Sequence, residues 1–189
     1  VKCLGLDIST SCTGWSVTNT DESGNVIEVT LGKIILDEFD DLIGKANEVV
    51  KHLSVIDSLH KIDKIYIEEN MQAFRPGASS AQTLVKLAKF NGIVTYLSHH
   101  VTGLTPVAVN VNHARKILGI NLKREKVCGI STKDQIYAWV SAHPLLVSYD
   151  WPHRVIASGP RKGQRVLESY VYDMSDAFVI AMSGPIIHT

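Results

Sequence analysis

Four carboxylates stand at positions where an active site would want them. Asp7 closes the apolar run Leu4-Gly5-Leu6, and Glu68 closes Ile65-Tyr66-Ile67. Asp173 and Asp176 stand at the head of an apolar stretch that continues through Ala177-Phe178-Val179-Ile180-Ala181. Acids at strand ends and at a helix start can converge on one point of a fold. Carboxylates brought together repel one another, and a divalent cation is the usual means of holding them there. The chemistry this predicts is metal-dependent catalysis, with phosphodiesters as the foremost substrate. Asp173 and Asp176 are three apart and share one helical face. Glu69 competes with Glu68, because strand alternation lets just one of the two face the site. Glu68 is the choice and Glu69 the alternative. Singly, each acid is also a turn residue, a paired strand end or a helix cap. Their concurrence in one chain argues for a site.

The elements that must position these acids follow from hydrophobic pattern. Leu4–Ile8 reads as a buried strand, Gly14–Thr18 as a second, and Val26–Leu36 as a third beyond the turn signal Thr20–Asn25. Helical spacing runs from Asp40 to Leu59, with Leu42, Ile43, Ala46, Val49, Val50, Leu53 and Ile56 on one stripe. A strand at Ile62–Glu68, a loop over Gln72–Ser80, and a helix over Ala81–His99 capped by Ser79 or Ser80 come next. Leu104–Val109 reads as a strand, and Val111–Leu118 and Lys133–Ala142 as helices. Residues His143–Tyr170 read as an inserted loop or hairpin, and the last helix starts at Asp173. An antiparallel meander leading into βα units predicts an α/β fold with one mixed sheet and helices on both faces. No internal repeat or linker is visible, so residues 1–189 read as one domain.

Composition agrees with a self-sufficient core: 189 residues, 45% hydrophobic and 20% charged. No apolar run approaches the roughly 18 residues of a membrane span, and the opening residues lack the order of a signal peptide. The three cysteines, Cys3, Cys12 and Cys128, include no CxxC pair, which predicts reduced thiols in an intracellular compartment. The eight histidines show no zinc spacing. Net charge is zero, so whole-chain electrostatics do not argue for nucleic acid. The cations are nevertheless clustered: Lys116, Lys123, Arg124 and Lys126 in one stretch, and Arg154, Arg161, Lys162 and Arg165 in another. The loop after Glu68 should border any substrate, and its Met71, Phe74 and Arg75 offer an apolar wedge and a phosphate contact.

Taken in order, these segments resemble the RuvC-like Holliday junction resolvases of the RNase H-like superfamily, in a form similar to phage-type members. Leu6-Asp7-Ile8-Ser9-Thr10-Ser11-Cys12-Thr13-Gly14-Trp15 resembles the family's first motif, and Tyr66-Ile67-Glu68-Glu69 its second. Ala81–Ala88 resembles the helix that follows, and Thr105-Pro106 the approach to a basic segment. Ser131-Thr132-Lys133-Asp134-Gln135-Ile136 is similar to a Lys-x-Gln helix start, and Asp173-Met174-Ser175-Asp176-Ala177 to the closing Asp-x-x-Asp-Ala.

The resemblance implies an RNase H-like fold with a five-stranded mixed sheet. It also implies two Mg2+ or Mn2+ ions held by Asp7, Glu68, Asp173 and Asp176, with Lys133 near the scissile phosphate. The partner would be a four-way DNA junction, cut symmetrically by a homodimer, in bacterial or phage-infected cytoplasm or in an organelle. The chain departs from the family at Ile8-Ser9, where Pro-Gly is common, and at Met71, where an aromatic is common. Asn110 stands where a basic residue is common, and Arg115 or Lys116 would compensate. Three competing readings are a same-fold nuclease acting on flaps, forks or RNA–DNA hybrids, a non-catalytic DNA-binding protein, and an actin-like ATP-binding domain.

Overall fold

The computed structural model describes residues 1–69 and 81–188. Its sheet begins with the expected meander: β1 (Lys2–Ile8), β2 (Cys12–Thr20) and β3 (Val26–Ile35), all antiparallel. The first turn is tied by Ser9, whose Oγ donates to the Cys12 carbonyl at 2.6 Å and accepts from the Cys12 amide at 3.1 Å. The second is tied by Asp21, which accepts from the amides of Ser23 and Asn25, both at 2.9 Å. Helix α1 (Leu42–His60) starts at Asp41, which caps the amides of Ile43 and Gly44, and ends at Lys61 in the left-handed region. Strand β4 (Lys64–Glu68) then runs parallel to β1, and after α2 (Ala81–Thr102), β5 (Val107–Val109) runs parallel to β4. The order across the sheet is β3-β2-β1-β4-β5.

The remaining elements are α3 (Val111–Ile117), α4 (Glu125–Cys128), α5 (Thr132–Ser141), β6 (His153–Val155), β7 (Arg165–Leu167) and α6 (Tyr170–Ile187). Strands β6 and β7 form a separate two-stranded hairpin inside the stretch read as an insertion.

Boundaries differ from expectation where a local bond overrides the pattern. Helix α6 begins at Tyr170 rather than Asp173, because Val171 and Met174 already pack on the core and draw the first turn inward. Helix α2 continues past His99, with Ser98 and Thr102 bonding back one turn at 2.7 Å, and Gly103 at φ 74° ends it. The one-turn α4 was not legible, being too short to carry a period. Strand β5 is shorter than Leu104–Val109 and starts just after Pro106, which has no amide to give a ladder.

Alternation along the strands sorts the core into two layers. Leu4, Leu6, Ile8, Val17, Ile65 and Ile67 face α1 and α2. Cys3 and Tyr66 face the other way, into the layer made by α3, α5 and α6. Helices therefore cover both faces, as the pattern predicted. Asp7 follows Cys3 and Gly5 in alternation, and Glu68 follows Tyr66, so both acids fall on the α6 side.

Candidate active site

Register brings the first two acids together. β1 and β4 are parallel neighbours paired through Leu6 and Ile67, so Asp7 and Glu68 leave adjacent strand ends on the same face. Their side chains share a hydrogen bond. Glu69, one residue on, accepts instead from Asn110 Nδ2 at 3.1 Å. Of the two glutamates weighed from the sequence, Glu68 is the one beside Asp7.

The second pair arrives on α6, through a close approach that the glycines permit. Gly14 is the cross-strand partner of Asp7. A Cβ on Gly14 would stand 2.7 Å from the Met174 amide nitrogen and closer still to the carbonyl of Asp173. A Cβ on Gly5 would likewise overlap the backbone of Ala177 and Ala181. The helix backbone therefore lies directly on β1 and β2, and its first turn lies against the strand pair that carries Asp7. Lys45, 6% exposed, secures the turn beyond Asp7 from the opposite layer by donating to the Thr10 and Leu36 carbonyls at 2.6 and 2.8 Å.

The electrostatics record the crowding. Burial raises the Asp7 carboxyl well above the ordinary range, and the Glu68 charge, the bond to Glu68 and the charges of Asp176 and Asp173 push the same way. Burial pushes Asp173 up to about 6. Lys133 and a hydrogen bond from Cys12 oppose that rise, while Asp176 and Glu68 add to it. The Cys12 thiol is in turn pushed up to about 12, by burial and then by the Asp173 charge it donates to. Asp176 is turned toward α3, where Arg115 Nη2 donates to its Oδ1 at 2.8 Å, with both side chains some 15% exposed (15% and 16%).

Lys133 reaches the site from the start of α5. Ser131 caps that helix by accepting from the Asp134 amide at 3.1 Å, and its hydroxyl donates to Asp134 Oδ2 at 2.6 Å. The hydroxyl of Tyr172, on the first turn of α6, donates to Asp134 Oδ1 at 2.6 Å. These bonds hold the Asp134 carboxyl below its usual range and fix the start of α5 against that of α6. The Lys133 ammonium lies 5.7 Å from the centre of the Tyr172 ring.

All four acids and Lys133 thus belong to one electrostatic cluster. Their oxygen donors suit a hard divalent cation such as Mg2+ or Mn2+, and such a cation would offset both the burial that lifts Asp7 and Asp173 and the repulsion that adds to it. As placed, no three His, Cys, Asp or Glu side chains among the described residues close on a single metal point. Asp7 and Glu68 hold each other, Asp173 holds Cys12, and Asp176 holds Arg115. Binding of an ion by all four would require these side chains to turn.

The cations expected to meet DNA divide into groups. Arg115 points inward, so its head is occupied by Asp176 and it is no free phosphate contact; its Nε is buried without a partner among the described residues. Lys116 is exposed on the last turn of α3. Lys123, Arg124 and Lys126 are exposed around α4, tethered to α5 by Gln135, which donates to the Lys123 carbonyl at 2.9 Å. Met71, Phe74 and Arg75 lie outside the described residues. Sequence reasoning did not find Cys12 or the inward role of Arg115. Cys12 was within reach, since the turn Ser9-Thr10-Ser11 puts it on the Asp7 face of β2. Arg115 was not, since nothing local to α3 points at α6.

No family model and no curated protein matches the chain. Solved structures do. RuvC of Thermus thermophilus is 13% identical, with 97% of this chain and 92% of that chain covered and a TM-score of 0.59. The same protein in complex with a Holliday junction substrate is 12% identical over 97% of this chain and 91% of that one, TM-score 0.59. The yeast mitochondrial Holliday junction resolvase is 13% identical over 96% of this chain and 76% of that one, TM-score 0.51. At such identities the likeness establishes the fold: the chain has the α/β, RNase H-like architecture that these proteins share. No helix among the described residues is long and apolar enough to cross a membrane.

Proposed function

We propose that the chain is a divalent-metal-dependent endonuclease that resolves four-way DNA junctions by paired, symmetric phosphodiester hydrolysis. The observation that carries this is the convergence of Asp7, Glu68, Asp173 and Asp176, where burial first and the neighbouring carboxylates second lift Asp7 and Asp173 above the carboxylate range. Neither a packing core nor a solvated surface gains from such a cluster. The substrate comes from the proteins that share the fold, two of which are described as a RuvC bound to a Holliday junction and as a junction resolvase. A two-fold junction cut symmetrically calls for a two-fold protein, so the proposed working form is a homodimer.

The four carboxylates would hold two Mg2+ or Mn2+ ions. Such ions supply Lewis acidity, polarising the scissile phosphate and making a water nucleophilic. The chain's own groups do the rest. Lys133, already close enough to pull Asp173 down, offsets the charge that grows on the phosphate. Arg115 holds Asp176 toward α3 in the absence of an ion, and the Cys12 thiol does the same for Asp173. Both contacts keep the acids ordered while they wait. Asp173, at about 6, is ionised at neutral pH and half protonated near pH 6, so ligand competence should fall away below that.

The test is cleavage of a synthetic mobile four-way junction in Mg2+, beside a linear duplex, a flap and an RNA–DNA hybrid. Paired symmetric nicks in the junction alone are expected, with Asp7→Asn slower by about 10³-fold or more. Cutting of the flap or hybrid instead would keep the metal site and replace the substrate. An Asp7→Asn protein as active as wild type would end the nuclease reading. Sedimentation should find a dimer, and a monomer with and without junction would remove the symmetric mechanism.

A further inference from the structure

The β6–β7 hairpin carries the second cationic cluster, and its construction says more than its charge. Between Trp151 and Leu167 there are four Lys or Arg and no acid, in a chain whose net charge is zero. The hairpin is bonded to its tip: Ile156 donates to Gln164 at 3.0 Å, Gly163 to Ile156 at 2.8 Å, and Lys162 to Gly159 at 3.0 Å. Gly159 and Gly163, at φ 82° and 84°, make the reversals that put Arg161 and Lys162 at the end. Its base is anchored. Trp151, 6% exposed, meets the rings of Tyr149 and Tyr137 edge-on at 4.8 and 5.2 Å, in the core layer that also holds Met174 and Phe178 of α6. Strand β7 then passes through Glu168 and Ser169 straight into α6, which carries Asp173 and Asp176. Arm and candidate active site therefore share one frame.

The cations are distributed over both faces. Arg154 lies opposite Val166, and Arg165 opposite Val155. Opposed residues share a face and successive residues alternate, so Arg154 and Arg165 project from opposite faces. The pairing of Arg154 with Glu168 is loose, 3.7 Å at a half-exposed side chain. A flat anionic surface would meet one face and leave the other cation unused. A ribbon lying between two rows of phosphates would use both faces and the tip.

We propose that the β6–β7 hairpin is a nucleic-acid arm that lies between two phosphodiester backbones, with Arg154 and Arg165 contacting one each and Arg161 and Lys162 reaching beyond. The proposal rests on the nuclease reading above and adds to it a binding element outside the carboxylate cluster. It also gives the arm a role in substrate choice, since a branched substrate offers closely spaced backbones at its crossover.

The experiment is binding of a labelled four-way junction to the full chain, without divalent metal, from 50 to 200 mM salt. Each phosphate contact contributes about 0.9 to the slope of log affinity against log salt. Replacing all four cations by Gln should lower that slope by about 3–4 and weaken binding by about 100-fold near 0.1 M salt. Arg154→Gln and Arg165→Gln should each lower it by about 1. A control, Lys51→Gln with Lys64→Gln, removes exposed charge elsewhere and should leave the slope nearly unchanged. Melting temperature checks that the variants fold. An unchanged slope in the quadruple variant overturns the arm. An effect from one of Arg154 and Arg165 but not the other overturns the placement between two backbones. A wild-type chain that binds no junction overturns the nuclease reading and the arm with it.

Discussion

The two faces of the sheet use the same strands for opposite purposes. Toward α1 and α2, β1 and β4 present Leu4, Leu6, Ile8, Ile65 and Ile67, bulky side chains that hold the helices at ordinary packing distance. Toward α6, β1 and β2 present Gly5, Cys12, Gly14, Ser16 and Thr18, all small. That face gives up apolar volume, and it leaves the Ser16 and Thr18 hydroxyls buried without partners among the described residues. In exchange, the α6 backbone comes within van der Waals contact of the strands and brings Asp173 to Asp7. Bulk makes one face stable. Smallness makes the other a site, at a cost in stability that the buried run Ala177-Phe178-Val179-Ile180-Ala181 of α6 offsets.

The comparison breaks if the small face is merely another core. Gly14→Ala would push a methyl into the backbone of Asp173 and Met174, atoms that move only with the whole helix. We expect a loss of about 3 kcal/mol or more, some 10 °C in melting temperature for a chain of this length. Leu53→Ala, fully buried in the opposite layer, should cost a similar 2–5 kcal/mol through an ordinary cavity. The two should part in activity. At a temperature where both are folded, Gly14→Ala should lose metal-dependent cleavage per folded molecule and Leu53→Ala should keep it. Equal activities would show that the close approach of α6 has no bearing on the site.

That division was partly legible in the residues. The buried runs Leu4–Ile8 and Ile65–Ile67, followed by βα units, announced a sheet covered on both faces, and the acids at the two strand ends announced where chemistry would sit. Spacing alone put Asp173 and Asp176 on one face of a helix. Other features required tertiary pairing. Gly14 reads as the ordinary start of a strand until β1–β2 register sets it opposite Asp7 and α6 lands on it. Arg115 reads as a surface cation because its partner is remote in sequence. The choice between Glu68 and Glu69 waited on which face of β4 met α6. Local sequence encodes local structure, and these three depend on contacts between distant segments.

Acidity offers a sharper contrast, this time within the layer of α6. The folded pKa of Asp173 is about 6 against an ordinary 3.8, so between these values the folded chain binds more protons than the unfolded one. Stability of the metal-free chain should therefore fall as pH rises from about 4 to about 6, by roughly 2–3 kcal/mol from this residue. Asp7 acts in the same direction. Asp134 is held low by Ser131 and Tyr172 and has the reverse sign, losing stability only as pH falls below the ordinary range. His143, lowered by burial, also opposes the trend near its own range. The difference between wild type and Asp173→Asn isolates the effect. In EDTA, the variant should gain on wild type as pH rises to 7, and Mg2+ should erase the gain by stabilising wild type alone. A difference independent of pH would remove Asp173 from the repelling cluster.

The smallest effect tests what holds the cluster before an ion arrives. Arg115 and a divalent cation offer Asp176 the same service, neutralisation of a mostly buried charge. Removing one partner of such a pair leaves the other unpaired and is costly, so Arg115→Ala should destabilise the chain in EDTA. An ion bound by Asp176 would then take over the role. Mg2+ should consequently stabilise Arg115→Ala more than it stabilises wild type, by about 1–2 kcal/mol of coupling. Arg115→Lys keeps the charge but not the planar donor geometry, and should fall between them. Equal stabilisation of all three by Mg2+ would mean that Arg115 and the metal do not share Asp176. The inward arginine would then be a strut between α3 and α6 and no stand-in for the ion.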